Sequence, residues 1–502
     1  MKLSTSSALV WLRRDLRVFD HTALRQALQS YEQVWVVFVF DTDILSALLQ
    51  RGLTQDRRVD FIWQSLQEVD EALRAHGGGL IVQQGRPTEL IPSLAKTLGV
   101  HAVLTHHDYE PAAIERDRQV ALSLEQLDIA FHTYKDHVIF ERQEVLTQQG
   151  GVFSVFTPYK NAWLKKLQAR DLDAQATPLE SGRLAPIPDH LDSGIPSLAD
   201  LGFADSGIAQ YLPAGMSGAS KLLESFMERI DHYHATRDYP AVKGPSYLSV
   251  HSRFGTISIR ALVREAHQRM LAGSMGATVW LSELIWRDFY FMILSNHPRL
   301  APPVDKQLLH GTAGHASFKP DYDQIVWESG AKAQKLFKAW CEGKTGYPLV
   351  DAAMHQLNQS GYMHNRLRMV VACFLIKDLG IDWRWGEQYF ADHLNDFDFA
   401  ANNGGWQWAS SSGCDAQPYF RIFNPITQSE KFDAEGKFIK KYLPQLGKLS
   451  KKTIHAPWLA GDIELEIAGI RLGRDYPLPI VQHDEARKNT LIRYAVVKKE
   501  SI

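Results

Sequence analysis

The segment Val34–Phe40, VWVVFVF, is an unbroken run of β-branched and aromatic residues. A strand of this composition is typical of a parallel sheet that helices cover on both faces. Similar short runs occur at Ala8–Leu12, Leu80–Val82, Ala102–Thr105 and Ile129–Thr133. The sequence therefore predicts a sheet of buried parallel strands in the first part of the chain.

Amphipathic segments alternate with these strands. The predicted helices between them are Ala23–Ser30, Arg57–His76, Thr88–Leu98 and Ile114–Gln126. This alternation predicts a doubly wound, Rossmann-like α/β domain. The domain has neither a GxGxxG fingerprint nor a GxxxxGK[ST] loop, so the usual dinucleotide and nucleoside triphosphate sites are not indicated.

The periodicity is lost between residues 136 and 217, where prolines and glycines are frequent and only Pro158–Arg170 predicts a helix. Helical patterns dominate the remainder of the chain. The predicted helices there are Ala219–Arg237, Ile259–Ala272, Ala277–Asn296, Ala331–Glu342, Tyr347–Gln359, His364–Leu379 and Trp385–Phe390. We therefore expect an α/β domain over residues 1–135, a linker over 136–217 and a larger all-α domain over 218–502.

The composition is that of an ordinary soluble protein, with 502 residues, 45% hydrophobic residues and a net charge of −2. No apolar run is long enough to span a bilayer and the start of the chain has no signal-peptide core, which predicts a cytoplasmic protein. The three cysteines, Cys341, Cys373 and Cys414, are isolated, and no HExxH-like spacing occurs. Neither a disulfide framework nor a metal site is therefore expected. The near-neutral charge argues against coating of nucleic acid by the whole protein, although a local basic face could bind phosphates.

The stretch Asp396–Pro425, DFDFAANNGGWQWASSSGCDAQPYFRIFNP, combines small residues, amides and aromatics. Gly404 and Gly405 allow close approach of a flat group, and Asn402 and Asn403 offer amide donors and acceptors to a heteroaromatic edge. Two interpretations remain open on composition. The stretch is either a cofactor seat or a glycine-containing turn between helices in an aromatic core.

The segment SELIWRDFY places Glu283, Trp286, Arg287 and Tyr290 at helical spacings of three and four, on one stripe. Such a stripe can be an aromatic core contact. A carboxylate within it is uncommon unless paired, which favours a functional role.

The segment GYMHNRLRM places Asn365 and Met369 on one helix face, while Arg366 and Arg368 project to different sides. Arginine beside an apolar helix usually has a carboxylate or phosphate partner. We therefore expect an anion near this helix.

These residues belong to a series of motifs that carry a resemblance to a known family. In chain order they are VWLRRDLR, FTPYKNAW, ELIWRDFY, EGKTGYPLVDAAM, MHNRLRM, DFDFAANNGGWQW and PYFRIFNP. The chain resembles the photolyase/cryptochrome family over nearly its whole length, and in particular its class I cyclobutane pyrimidine dimer photolyases. Composition and periodicity indicate only the two-domain architecture; the flavin and the DNA repair follow from the resemblance.

The resemblance implies FAD bound without a covalent bond in the helical domain. The positions that match the family's phosphate-side contacts are Tyr233, Ser246, Leu248 and Ser249, and those that match its ribose and ring contacts are Trp280, Arg368, Asp396, Asp398 and Asn402. Asp396 could pair with Arg368 and accept from the flavin ring, and Asn402 would lie beside flavin N5.

The resemblance also implies a light-dependent lyase that splits pyrimidine dimers by electron transfer from photoexcited reduced FAD. Glu283 would bond to the base edges of the dimer, Trp286 and Met369 would form apolar walls, and Asn402 would complete the catalytic set. The matched DNA-binding positions are Arg237, Glu283, Trp286, Arg287, Tyr290, Asn365, Arg366 and Gln428. Trp406, Trp383 and Trp327 match the family's electron-transfer tryptophans.

The chain departs from the family in several places. Pro245 and Tyr247 stand where a hydroxyl residue and an arginine are usual, and Tyr362 replaces a tryptophan. The antenna chromophore is left open: Tyr109 and Glu110 resemble a folate-contact position, whereas VFVFDTDIL followed by Arg57 and Arg58 is closer to deazaflavin- or FMN-using members. The segment Ala301–Asp321 lacks the Cys-Lys pair of folate-binding relatives. Methenyltetrahydrofolate and 8-hydroxy-5-deazaflavin remain equal alternatives.

The same motifs bear on three other functions. A (6-4) photoproduct enzyme would carry histidines where this chain has Asn365 and Met369. A cryptochrome-type light receptor tends to have a longer tail and to change the residue beside N5. A flavoprotein with lapsed activity is disfavoured by Glu283, Trp286 and Met369. We therefore predict a monomeric photolyase that binds damaged DNA and no membrane.

Overall fold

The computed structural model describes residues 6–302 and 315–497. These residues form two compact units, the first made of 6–231 and 246–302, the second of 232–245 and 315–497. The limits of these units differ from the predicted domain boundaries at residues 135 and 217. The three predicted domains remain a prediction.

The first unit contains a five-stranded sheet in the order β3-β2-β1-β4-β5, with every pairing parallel. The strands are β1 Ser7–Leu12, β2 Gln33–Asp41, β3 Leu80–Gly85, β4 Ala102–His106 and β5 Ala130–Tyr134. Apolar residues of the central strands are buried on both faces, in two clusters. The predicted doubly wound sheet is confirmed.

The fifth strand differs from the prediction. The run Ile129–Thr133 was predicted to be buried, but the residues of β5 are exposed or half-buried. The strand lies at the edge of the sheet, and β4 is its only partner among the described strands.

Helices accompany the sheet and continue through the chain to residue 296. They are α1 Thr22–Ser30, α2 Thr42–Gln50, α3 Arg57–Arg74, α4 Pro87–Leu98, α5 Pro111–Glu125, α6 Phe156–Lys166, α7 Gly215–Met227, α8 Tyr233–Thr236, α9 Ser249–Phe254, α10 Ile259–Leu271 and α11 Met275–Asn296. Helix α8 belongs to the second unit. The predicted helix Ala219–Arg237 is two helices, and α2, which Asp41 caps, was missed.

The second unit is mostly helical. Its further helices are α12 Gly330–Cys341, α13 Pro348–Ser360, α14 Asn365–Cys373, α15 Trp383–His393, α16 Phe399–Ser410, α17 Pro425–Phe432, α18 Lys437–Tyr442, α19 Asp462–Ala468 and α20 His483–Arg493. All of them except α20 contribute residues to one apolar cluster rich in aromatic rings, or pack against it. The predicted helix His364–Leu379 is α14 followed by a π-helical turn, Phe374–Asp378.

Helix α16 bears on one of the two interpretations of the glycine-rich stretch. Gly404 and Gly405 lie inside this helix, so the stretch is not a turn between helices. None of the helices in the described parts of the chain combines the length and the apolar character needed to cross a bilayer.

Candidate functional site

Two aspartates fix the start of α16. Asp398 is the N-cap, and its Oδ1 accepts from the backbone N–H of Ala400 at 3.1 Å. Nη2 of Arg368 donates to both oxygens of Asp396, at 3.0 and 2.8 Å, and Nε of Arg368 donates to the Met363 carbonyl at 2.9 Å. These charge-assisted bonds hold the guanidinium in one orientation.

A second network, absent from the sequence predictions, orients the two asparagines. Nδ2 of Asn402 donates to the backbone carbonyl of Glu387 at 3.0 Å, and Nδ2 of Asn403 donates to Oε1 of the same glutamate at 2.9 Å. The other oxygen of Glu387 hydrogen-bonds to Nε2 of His315, and Gln407 donates to Oδ1 of Asn403 at 2.8 Å. Among the described residues, Oδ1 of Asn402 receives no donor, so it remains available to a ligand.

One face of α16 is open although most of the helix is buried. The buried residues are Ala400, Asn402, Asn403, Trp406, Gln407, Ala409 and Ser410. Ala401 and Gly405, four residues apart on one face, are exposed. A Cβ placed on Gly405 would have no heavy atom of the described residues within 4 Å. Small residues, an unused carbonyl oxygen and a fixed arginine-aspartate pair suit a flat, polar-edged group such as the flavin of FAD.

The three predicted relay tryptophans belong to, or pack against, one apolar cluster of the second unit. Trp406 and Trp383 are buried in its apolar cluster, and half-buried Trp327 packs against the same cluster. The Trp327 ring lies 6.1 Å from that of Tyr494. No described residue accepts a hydrogen bond from Nε1 of buried Trp406.

The predicted DNA contacts of the second unit cluster around α14 and α17. The Arg366 guanidinium pairs with Asp238 at 2.9 Å and lies over the Phe432 ring at 4.5 Å. Its Nη1 is also 3.8 Å from Sδ of Met369. The remaining contacts are Asn365, which is exposed, Gln428, which is half-buried on α17, and Arg237, which lies 5.3 Å over the Tyr233 ring.

In the first unit, the predicted stripe lies on one face of α11. Glu283, Trp286, Arg287 and Tyr290 are all half-buried, so the stripe is not part of a closed core. Phe156 stacks on Trp286 at 3.7 Å with planes 8° apart. The Trp286 ring is therefore a rigid, supported plane.

The neighbouring Asp288 was missed by the sequence reasoning. Its carboxylate is buried and accepts from the backbone N–H of Ile139 and from Nε1 of Trp163, both at 3.0 Å. Burial raises the pKa of Asp288 to about 6, because the loss of solvation outweighs the nearby Arg287 and these hydrogen bonds. The residue ties α11 to α6 and to the loop after β5.

The predicted phosphate-side contacts Ser246, Leu248 and Ser249 lie at the start of α9 in the first unit, whereas Tyr233 lies in the second. Tyr247 between them has φ +61°, an unfavourable conformation for an aromatic residue. Trp280 is buried on α11, edge-on to Phe226 at 4.8 Å.

Among the described residues one group has the spacing of metal ligands: Asp15, His21 and His106. Nδ1 of His21 accepts from the Leu24 N–H and Nε2 of His106 from the Ala23 N–H, both at 3.0 Å. The lone pair of one nitrogen is thus already used in each ring, and the other nitrogen faces Asp15, at 3.1 Å for His21 and 2.6 Å for His106. Of the two rings, that of His106 is hydrogen-bonded to Asp15, and burial lowers the pKa of His21.

The candidate antenna residues have internal partners. The Tyr109 hydroxyl is buried and donates to Glu141 at 2.7 Å, and Glu110 pairs with Arg14 at 3.3 Å and Arg253 at 3.4 Å. Most of the segment Ala301–Asp321, from 303 to 314, lies outside the described residues.

Known protein families match both the first part and the last part of the chain. The family models for DNA photolyase and for the FAD binding domain of DNA photolyase match residues 8–180 and 280–496. The deoxyribodipyrimidine photo-lyase of Vibrio cholerae is 39% identical, over 98% of this chain and 99% of that protein. That of Escherichia coli is 38% identical, again over 98% and 99%.

Three solved structures are similar over nearly the full length. A bacterial class III photolyase from Agrobacterium tumefaciens has a TM-score of 0.86 and 31% identity, covering 99% of this chain and 98% of its own. A cryptochrome from Synechocystis sp. PCC6803 has 0.82 and 27%, covering 98% and 100%. An archaeal photolyase from Sulfolobus tokodaii with two FAD molecules has 0.79 and 31%, covering 98% and 100%.

The fold and the matched FAD-binding domain are those of a flavin-dependent DNA photolyase. This chain belongs to the photolyase/cryptochrome family. The predicted family, enzyme class and FAD cofactor are thereby confirmed. The class I assignment and the individual site residues stay predictions.

Proposed function

We propose that this protein uses light to split cyclobutane pyrimidine dimers in DNA, with FAD seated on the open face of α16. The observation that carries this proposal is the arrangement around Asn402. Its amide is anchored to Glu387, its Oδ1 is available, and Ala401 and Gly405 leave space beside it. A flat ring with a hydrogen-bonding edge suits that space, and relatives of high identity are deoxyribodipyrimidine photo-lyases.

The cofactor would be held mainly by residues of α16 and by Arg368, which pairs with Asp396 shortly before that helix. Arg368, Asp396 and Asp398 would bind the ribose and ring edges, together with Trp280, while Asn402 would present Oδ1 at N5. Tyr233, Ser246, Leu248 and Ser249 would contact the phosphate side. Reduced FAD supplies the electron that light releases to the lesion, and the protein orients the ring and excludes water.

We assign the lesion contacts to Glu283, Trp286 and Met369. Glu283 would bond to the base edges of a dimer that has left the stack, which is easier for a damaged pair. Trp286 would form an apolar wall, and its stacking on Phe156 supports that role because a fixed plane costs little ordering on binding.

The remaining DNA contacts would position the backbone. Arg237, Arg366, Gln428, Asn365, Arg287 and Tyr290 are the proposed residues, and none reads sequence in this scheme. The pairing of Arg366 with Asp238 supports a preset orientation of the guanidinium.

We also propose that Trp406, Trp383 and Trp327 carry electrons to photoexcited oxidised flavin. Their common membership of one apolar cluster supports this role, because low polarity and close packing favour transfer between rings.

Further proposals concern the whole protein. We propose functional domains at 1–135, 136–217 and 218–502, a monomer, and a cytoplasmic location, which suits the free thiols of Cys341, Cys373 and Cys414. A second chromophore, either methenyltetrahydrofolate or 8-hydroxy-5-deazaflavin, would serve as antenna. Mass spectrometry of the extracted chromophores and light scattering of the purified protein test the antenna and the monomer.

The decisive experiment illuminates reduced protein with an oligonucleotide that carries one thymine cyclobutane dimer. Restored thymine absorbance in the light, and none in the dark, is the expected result. If FAD is bound and photoreducible but no dimer is repaired, the protein acts instead as a cryptochrome-type receptor. Repair only of a (6-4) photoproduct would overturn the assigned substrate.

A further inference from the structure

A strongly basic segment follows α17 in a chain that is otherwise nearly neutral. Residues 431–452 contain seven lysines and only two acidic residues, Asp433 and Glu435, whereas the whole chain has a net charge of −2. We call the exposed side of this segment the basic surface. Its lysines are Lys431, Lys437, Lys440, Lys441, Lys448, Lys451 and Lys452.

The packing of the segment directs these lysines outwards. Apolar side chains alternate with them and are buried in the cluster of the second unit; they are Phe438, Ile439, Leu443, Leu446, Leu449 and Ile454. Every lysine of the basic surface is exposed, except Lys440, which is half-buried. The charges therefore lie on a firmly anchored element and not on a loose tail.

The acidic residues of the segment do not neutralise it. Asp433 is buried and accepts from the backbone N–H groups of Phe438 and Ile439, both at 2.9 Å. Glu435 pairs with Lys451 at 3.5 Å. Within the described residues, no carboxylate is within 4 Å of the amines of the other lysines. A cluster of like charges costs stability through self-repulsion, so an anionic partner would relieve that cost.

The basic surface continues directly from residues proposed to contact DNA. Gln428 and Lys431 are three residues apart on α17 and share one face. The Arg366 guanidinium and the Lys431 amine lie over the same Phe432 ring, at 4.5 and 5.2 Å. The proposed lesion-side backbone contact and the first lysine of the surface are thus neighbours in the second unit.

We propose that the basic surface binds the phosphate backbone of duplex DNA beyond the lesion and so extends the length of DNA that the protein covers. This inference rests on the proposed function. Lysine suits such contacts because its ammonium is a flexible point charge that neutralises phosphates without reading bases. The surface contributes sequence-independent, salt-sensitive affinity and leaves the chemistry at the dimer unchanged.

The test compares binding of two duplexes, one of about 10 base pairs and one of about 30, each with a central dimer. The variant Lys437→Gln/Lys441→Gln/Lys448→Gln is measured against wild type between 50 and 200 mM salt. For three lost phosphate contacts, the slope of log affinity against log salt should become shallower by about 2.7 on the long duplex. The short duplex should show little change, and repair at saturating DNA should be unaltered.

Two control variants distinguish the loss of local contacts from a change in total charge and from misfolding. Lys332→Gln/Lys335→Gln/Lys338→Gln removes the same charge from exposed positions on α12 and should leave the slope as in wild type. Lys437→Arg/Lys441→Arg/Lys448→Arg keeps the charge and should keep the slope. An unchanged slope in the glutamine variant, or an equal change in the α12 control, would overturn the inference. Failure of wild type to bind either lesion duplex would instead overturn the proposed function.

Discussion

Gly386 lies directly against the Trp406 ring: a Cβ on Gly386 would fall 2.0 Å from Cη2 of the indole and 2.6 Å from Cδ2 of Leu375. Gly386→Ala should therefore displace the ring or unfold its surroundings. Overpacking of this kind costs about 1–3 kcal/mol. We expect a lower thermal midpoint and slower photoreduction of oxidised flavin, measured by the loss of its visible absorbance. Trp406→Phe, which keeps an aromatic ring at the site, should slow photoreduction with a smaller loss of stability. Wild-type photoreduction in Gly386→Ala would contradict the proposed role of Trp406.

Gly405→Ala should have effects of opposite sign on folding and on cofactor binding. A methyl group at Gly405 meets no described atom, and alanine favours a helix interior over glycine by up to about 1 kcal/mol. The apoprotein should become slightly more stable. FAD should bind more weakly, because the added methyl lies in the proposed seat. Equilibrium dialysis with FAD and thermal unfolding of the apoprotein measure the two effects separately, and unchanged FAD affinity would place the seat elsewhere.

Glu387 positions Asn402 and Asn403, and its replacement should alter the flavin without contacting it. Glu387→Gln keeps the shape but exchanges one acceptor for a donor at the contacts with Asn403 and His315. We expect a shifted midpoint potential of the bound flavin. In the absence of DNA, the fluorescence of tryptophans far from the seat should not change. Gln388→Glu, on the next residue of α15, is the matched control. An unchanged potential in Glu387→Gln would show that the network serves folding alone.

Glu283→Ala should reduce repair while FAD stays bound, since the proposed contact is with the lesion. Loss of a hydrogen bond to a charged group costs about 1.5–3 kcal/mol, which corresponds to roughly a 10- to 100-fold lower repair yield. The yield is measured per absorbed photon at saturating lesion DNA. Glu265, on α10, offers the control Glu265→Ala. Release of FAD from Glu283→Ala would contradict the assignment.

Much of the architecture could be predicted from the sequence because buried parallel strands and amphipathic helices have distinct periods. The predicted strand Val34–Phe40 lies inside β2, and Ile259–Ala272 differs from α10 by one residue. Helix α16 was not predicted from its pattern, since two glycines lower helix propensity and its polar residues face the core. The burial of those residues depends on partners that no local pattern reveals.

The site residues could be predicted from the sequence only where they belong to recognisable motifs. Arg368 and Asp396 were named and do pair, whereas Glu387, His315 and Asp288 were missed. Glu387 and His315 are 72 residues apart, and Asp288 binds groups about 125 to 149 residues away. A carboxylate in a helical sequence gives no sign of such distant partners. An Asp or Glu flanked by aromatic residues is the one usable signal, and it is present at Asp288.

Lys377 should make the stability of the second unit depend on pH in a defined direction. Its amine is fully buried in the π-helical turn, donates to the Ser411 hydroxyl at 3.1 Å and lies 3.7 Å over the Tyr494 ring. Burial lowers the pKa of Lys377 to about 7. Between pH 7 and about 10.5 the unfolded chain binds a proton that the folded chain does not. The buried Lys377 amine therefore lowers the free energy of unfolding most below pH 7. Between pH 7 and about 10.5 the free energy of unfolding rises with pH.

The measurement is the difference in thermal midpoint between Lys377→Met and wild type at pH 6.5, 8 and 9.5. Methionine removes the titrating amine. The stability of the variant relative to wild type should therefore be highest at pH 6.5 and should fall by a few kcal/mol as the pH rises. Other titrating groups cancel in this difference because both proteins share them. Lys338→Met, on the exposed side of α12, should show no such trend. A pH-independent difference for Lys377→Met would mean that the lysine stays charged inside the fold, with the ring of Tyr494 and the nearby carbonyl of Tyr419 as sufficient partners.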